Sequence, residues 1–298
     1  MSQNESSTDT PTIVQQWLVN FPESKMDQWR QSLVQYARSH GALFLIADTE
    51  TTGTSPVDSE SGLFHRILEW SMLFCYRDES GFFQPCLDGR GDLICVDEPI
   101  NPFLSQGDLN SKRRRSVSSV KNSFVHGITM EYLFGESAGE TARPKLKGAA
   151  PTFAMVMQTL LALLSFDEFQ QGKCPVTLVF HNAPFDIRFL THECELWGLS
   201  PVESYFGVMD TLELAKRIIP KSVVGKYDLD NIYGFGRREF PELIEATERP
   251  THTALIDSLI LRQVLNVIYA YHLRHENVTA PVTTEDAEFD IPAILDQD

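Results

Sequence analysis

The chain has no run approaching the roughly eighteen apolar residues of a membrane span, and its opening, MSQNESSTDTP, lacks the basic and apolar pattern of a signal peptide. Both absences argue for a cytoplasmic protein with no membrane association. The five cysteines, Cys75, Cys86, Cys95, Cys174 and Cys194, are odd in number and form no C-x-x-C pair, so they read as reduced core thiols rather than disulfides or zinc ligands. No internal repeat is present. Positive charge is scarce: 25 Lys and Arg stand against 41 Asp and Glu, a net charge of -16. Nine of the excess negative charges lie in two tails, 1–11 and 276–298, that contain no Lys or Arg. An acidic surface of this kind disfavours non-specific adhesion to duplex DNA.

What the sequence does contain is a set of carboxylates and one histidine in three separated segments. In the first, LFLIADTETTG, the apolar run to Ala47 reads as a strand buried on both faces, with Asp48 and Glu50 at its end. Spaced by two, both side chains face the same way if the chain stays extended. Like charges so close are costly without a cation between them, and Mg²⁺-like cations prefer oxygen ligands. Thr51, Thr52 and Gly53 then turn the chain, with Gly53 free to take positive φ beside a ligand. An isolated D-x-E, however, more often marks a turn.

The second segment is another apolar strand, Val176 to Phe180, followed by His181, Asn182 and then Asp186 at the start of a helix. Alone, Asp186 reads as a helix cap. In the third, His252 precedes Asp257 at the head of an apolar-periodic helix, which lets both face one cleft. A neutral imidazole there suits proton abstraction near pH 7.

DTETTG, HNAPFD and HTALID resemble the three motifs of the DEDDh 3′-to-5′ exonucleases. DTLELAKRIIP (Asp210 to Pro220), YDLDNI, HRILEW and VHGIT extend the similarity over about residues 42–272. The resemblance implies Asp48, Glu50, Asp186 and Asp257 as ligands of two divalent cations, Mg²⁺ or Mn²⁺, and His252 as general base. It puts Thr51, Thr52 and Gly53 beside a 3′-terminal nucleotide and Asn182 in a supporting place, with His126 as a further substrate-side contact. The partner implied is a nucleic acid with a 3′-hydroxyl end, gripped as a short single strand. A homodimer and a polymerase partner both stay open. So does a catalytically idle binding module of the same fold, which a metal-dependent digestion assay separates from the enzyme.

The fold expected is α/β: a ribonuclease-H-like mixed sheet of five strands, flanked by helices, with an N-terminal helical extension. The strands are expected near 42–47, 67–77, 91–97, 176–180 and 206–210, the first three as an antiparallel meander. Boundaries follow composition: a disordered tail 1–11, a helical extension 12–40, an exonuclease domain 41–275 and an acidic tail 276–298. Lys112 to Arg115 form a basic run in a long loop, and Gly234-Phe-Gly236 lacks the context of a phosphate loop.

Overall fold

The computed structural model describes residues 23–103, 120, 123–136, 146–245 and 252–279. The tail 1–11, residues 12–22 of the expected helical extension, the Lys112–Arg115 run and the acidic tail from 280 on lie outside the described residues. Helix α1 (Glu23–His40) leads into strands β1 (Leu43–Thr51), β2 (Ile67–Arg77), β3 (Phe83–Pro85) and β4 (Cys95–Pro99). Short helices α2 (Ser123–His126) and α3 (Met130–Leu133), then α4 (Phe153–Leu163) and α5 (Asp167–Gln170), precede β5 (Val176–Phe180). The chain continues through α6 (Ala183–Trp197), β6 (Gly207–Asp210), α7 (Thr211–Ile218), α8 (Lys221–Val224), α9 (Leu229–Glu239) and α10 (Ala254–Thr279).

The sheet runs β3-β2-β1-β5-β6, with β4 also paired to β2. β1 and β2 are antiparallel; β1–β5 and β5–β6 are parallel, and the second parallel pair is bridged by α6. This mixed order, with helices on both faces, is the expected ribonuclease-H-like architecture. The period-two alternation of β1 decides what each face meets. Leu43, Leu45 and Ala47 join one buried cluster with α1, α4 and α6, while Ile46 joins another with Leu261 and Leu265 of α10. In α1, Met26, Trp29, Leu33 and Ala37 are buried at helical spacing, so the extension is a packing helix.

Three expectations change. The sheet has six strands rather than five, because the third strand is split. β3 pairs with the Cys75–Arg77 end of β2 and β4 with the Glu69–Leu73 end, separated by a hairpin excursion. Its tip, Asp88 to Asp92, is turned by the Asp88 carboxylate accepting the Arg90 and Asp92 amides at 2.8 and 3.1 Å. β1 does not end at Ala47 but continues to Thr51, so Asp48 and Glu50 are strand residues.

The third change concerns length: Ala254–His275 is long and apolar enough to cross a membrane, contrary to the reading of apolar runs, yet 72% of its apolar stretch is buried in this fold. Packed on β1, β2 and α9, it serves as a central core helix. Gly236 explains the Gly-Phe-Gly motif: a Cβ there would lie 2.6 Å from Val267, so glycine lets α9 and α10 approach.

Candidate active site

Because β1 stays extended past Ala47, Asp48 and Glu50 fall on the face that meets α10. Asp257, in the first turn of α10, points back at them, and one oxygen from each of the three carboxylates lies within 4.8 Å of the others. Burial raises the Asp48 carboxyl well above the usual range, and the charges of Asp186, Asp257, Glu50 and Glu69 push it further. An all-oxygen set of mutually repelling carboxylates fits a hard divalent cation.

Asp186 reaches the same edge from the opposite layer. After β5, Asn182 takes a left-handed conformation (φ 69°, ψ 53°), the one described non-glycine residue to do so, and asparagine tolerates it best. Its amide donates to Asp210 Oδ1 at 2.9 Å. That abrupt turn starts α6 at once and places Asp186 in its first turn, buried. Thr49, on the α6-facing side of β1, donates its hydroxyl to Asp186 Oδ1 at 2.6 Å. Burial lifts the Asp186 carboxyl to about 7 despite that hydrogen bond.

His252 sits just before α10, half exposed, with Nδ1 3.4 Å from Asp257 Oδ2. Its amide donates to the Val125 carbonyl at 3.2 Å, and the Thr253 hydroxyl accepts from the Ile256 amide at 3.2 Å, capping the helix. The imidazole thus lies beside the carboxylates and open to solvent.

The residues expected near a substrate divide by exposure. Asn182 is exposed and Thr51 half-buried, with the Thr51 hydroxyl donating to the Gly53 carbonyl at 2.6 Å. Thr52 is buried: its Oγ1 accepts the Arg66 amide at 2.9 Å and contacts His65 Nδ1 at 3.1 Å. His126 is buried too, its Nδ1 accepting the Ile128 amide at 3.1 Å. Both side chains are packed inside the protein rather than open to the cleft. Gly53 needs no positive φ; a Cβ there would sit 2.5 Å from the His65 ring, so glycine is required by that close approach.

Two supporting residues, Thr49 and Glu69, went unread in the sequence, while Asp210 and His181 were read only within their motifs. Thr49 could be found as a hydroxyl between two acids on a strand. Glu69 is a lone acid in the apolar run ILEWSMLFC, directly opposite Glu50 in the β1–β2 register. Asp210 accepts both the Asn182 and Leu212 amides at 2.9 Å, tying the starts of α6 and α7 together. His181 is held between Thr211 Oγ1 (2.9 Å) and the Tyr227 carbonyl (2.7 Å), and burial lowers its pKa.

Carboxylates gathered at one edge of a ribonuclease-H-like sheet define a class of metal-dependent phosphodiester hydrolases. No family model matches the chain. The protein called DNA polymerase III subunit epsilon in Rickettsia conorii (strain ATCC VR-613 / Malish 7) is 26% identical over 226 residues, covering 74% of this chain and 70% of its own. Its namesake in Escherichia coli (strain K12) is 28% identical over 148 residues, 47% of this chain and 45% of its own. A solved full-length 3′-exonuclease superposes with a TM-score of 0.46 at 13% identity, over 83% of this chain and 69% of that one. These similarities support a 3′-to-5′ exonuclease of the DEDDh type, and the converging carboxylates offer the oxygen ligands that divalent cations take.

Proposed function

We propose that the protein removes nucleotides from the 3′-hydroxyl end of single-stranded or frayed DNA, RNA or both, releasing nucleoside 5′-monophosphates. The observation that carries this is the approach of Asp48, Glu50 and Asp257 within 4.8 Å, with His252 Nδ1 3.4 Å from Asp257. In this reading Asp48, Glu50, Asp186 and Asp257 hold two cations, Mg²⁺ or Mn²⁺. Bound there, the cations supply Lewis acidity at the scissile phosphate and neutralise the carboxylates. His252 takes the proton from the attacking water, and the Asp257 carboxylate beside Nδ1 orients the ring and stabilises its charged form.

Thr51 and Asn182, the accessible members of the wall, meet the terminal nucleotide. Thr52, Gly53 and His126 shape that wall from behind. The boundaries carry over as proposals: an exonuclease domain over 41–275, flanked by a helical extension from 12 and by tails at 1–11 and 276–298. A cytoplasmic setting agrees with the reduced thiols, all five cysteines being free. The relatives' printed name makes a DNA polymerase the partner to test first, with a second copy of this chain as the other outcome.

The test is digestion of matched 3′-labelled single-stranded DNA, duplex DNA and RNA with Mg²⁺ or Mn²⁺, with a 3′-phosphorylated oligonucleotide beside each. Stepwise release of 5′-monophosphates, blocked by the 3′-phosphate, is expected. Internal cleavage, or none on any substrate, removes the reading.

A further inference from the structure

Glu69 stands out among the buried acids. The segment Ile67–Cys75 of β2 is buried throughout, and a carboxylate placed in it is costly unless hydrogen-bonded. Glu69 Oε2 accepts the amide of Ala254 at 2.8 Å, a contact between residues 185 apart in sequence. That amide is the first of α10, one of the donors a helix start leaves unsatisfied, and its dipole favours a negative partner.

Position gives the contact its meaning. Ala254 lies two residues after His252 and three before Asp257, while Glu69 lies directly across the ladder from Glu50. One hydrogen bond therefore ties the strand beside the carboxylates to the segment bearing the proposed base. His252 is fastened on its other side by its own amide, bonded to the Val125 carbonyl at 3.2 Å. Glu69 does not belong to the group of three carboxylates that converge within 4.8 Å.

We propose that Glu69 is a positioning residue: by holding the Ala254 amide it fixes His252 over the Asp48–Glu50–Asp257 cluster. This rests on the exonuclease reading, and it assigns Glu69 neither a metal nor a proton. A base displaced by an ångström loses rate without losing substrate, so its signature is kcat rather than KM.

The experiment uses the full chain with Glu69→Ala and Glu69→Gln, each also combined with His252→Ala. Kinetics are measured on a 3′-labelled single-stranded DNA oligonucleotide with Mn²⁺, and hydrogen exchange on the metal-free protein. Glu69→Ala is expected to lower kcat about 10- to 100-fold with KM within about threefold. Glu69→Gln, which keeps an acceptor oxygen, is expected to stay within about threefold of wild type. In the His252→Ala background, Glu69→Ala adds less than about threefold, because the group it positions is gone. Amides of residues 252–258 exchange faster in Glu69→Ala but not in Glu69→Gln.

A Gln variant as damaged as the Ala variant shows that the charge itself is used, and overturns the proposal. Full additivity with His252→Ala, or unaltered exchange at 252–258, does the same. Exchange needs no turnover, so it decides whether Glu69 holds the segment even if the wild-type chain cuts nothing, an outcome that falls on the exonuclease reading instead.

Discussion

Arg66 and Glu193 meet through two parallel hydrogen bonds, Nε to Oε1 at 2.6 Å and an amino nitrogen to Oε2 at 2.7 Å, with side chains 0% and 1% exposed. Glu193 also accepts the Ile67 amide and the Trp197 indole N–H, both at 3.2 Å, and Arg66 donates to the Pro102 carbonyl at 3.2 Å. Seven residues separate Glu193 from Asp186, two turns of α6, so the two acids share a helix face. The buried pair thus sets the rotation of the helix that presents Asp186. Glu193→Ala is expected to destabilise the protein by about 3–5 kcal/mol, since Arg66 is left buried without its partner. Replacing both by Leu and Met is expected to cost far less. Urea unfolding of the two variants checks this, and equal losses would refute it.

Removing a proposed cation ligand separates chemistry from folding. Asp48→Ala is expected to abolish turnover while circular dichroism stays unchanged, because the substitution removes a ligand and also relieves repulsion from Asp186, Asp257, Glu50 and Glu69. Turnover above a trace in that variant places the site elsewhere.

His252→Ala is expected to lower kcat about 10²- to 10⁴-fold with little change in substrate affinity, the span typical of a lost general base. Higher pH is expected to restore part of the rate as hydroxide replaces the side chain. A wild-type rate with an unchanged pH profile would leave the histidine only its backbone role at the start of α10.

Asp186 makes stability depend on pH in a defined direction. Its carboxyl is raised from 3.8 to about 7, so the folded state binds the proton more tightly than the unfolded chain. The resulting stabilisation is complete below about 4 and is lost as pH rises toward about 7. In metal-free protein, Asp186→Asn is therefore expected to gain in Tm over wild type progressively across that window. Mn²⁺ at pH 8 is expected to raise the wild-type Tm and narrow the gap, since a ligand bound only by the folded state stabilises it. Melting curves from pH 4 to 8 decide it; a gap that does not vary with pH refutes the assignment.

The three motifs were legible because each combines a local pattern with its chemistry. Alternation along β1 puts Asp48 and Glu50 on one face, and the segment boundaries placed Asp186 at the start of its helix and Asp257 beyond His252, one turn further along than the structure has it. The burial of Thr52 and His126 was not legible, since it depends on what packs over them: His65 lies 13 residues from Thr52. The Glu69–Ala254 bond spans 185 residues, and no periodicity reports a partner that distant. The split third strand had a visible cue in Asp88-Gly89-Arg90-Gly91, but not which half of β2 each fragment would join.

The sheet draws Asp186 from one layer and Asp257 from the other, and Asp257 comes late in the chain. With the ligands assigned as proposed, a ribosome must pass residue 257 before any copy can assemble its cutting centre. Unfinished or nicked chains that stop before residue 252 retain the first three carboxylates but neither the fourth nor the proposed base. Chain order thus makes the proposed cation site a late product of synthesis, complete only once α10 has docked on the sheet.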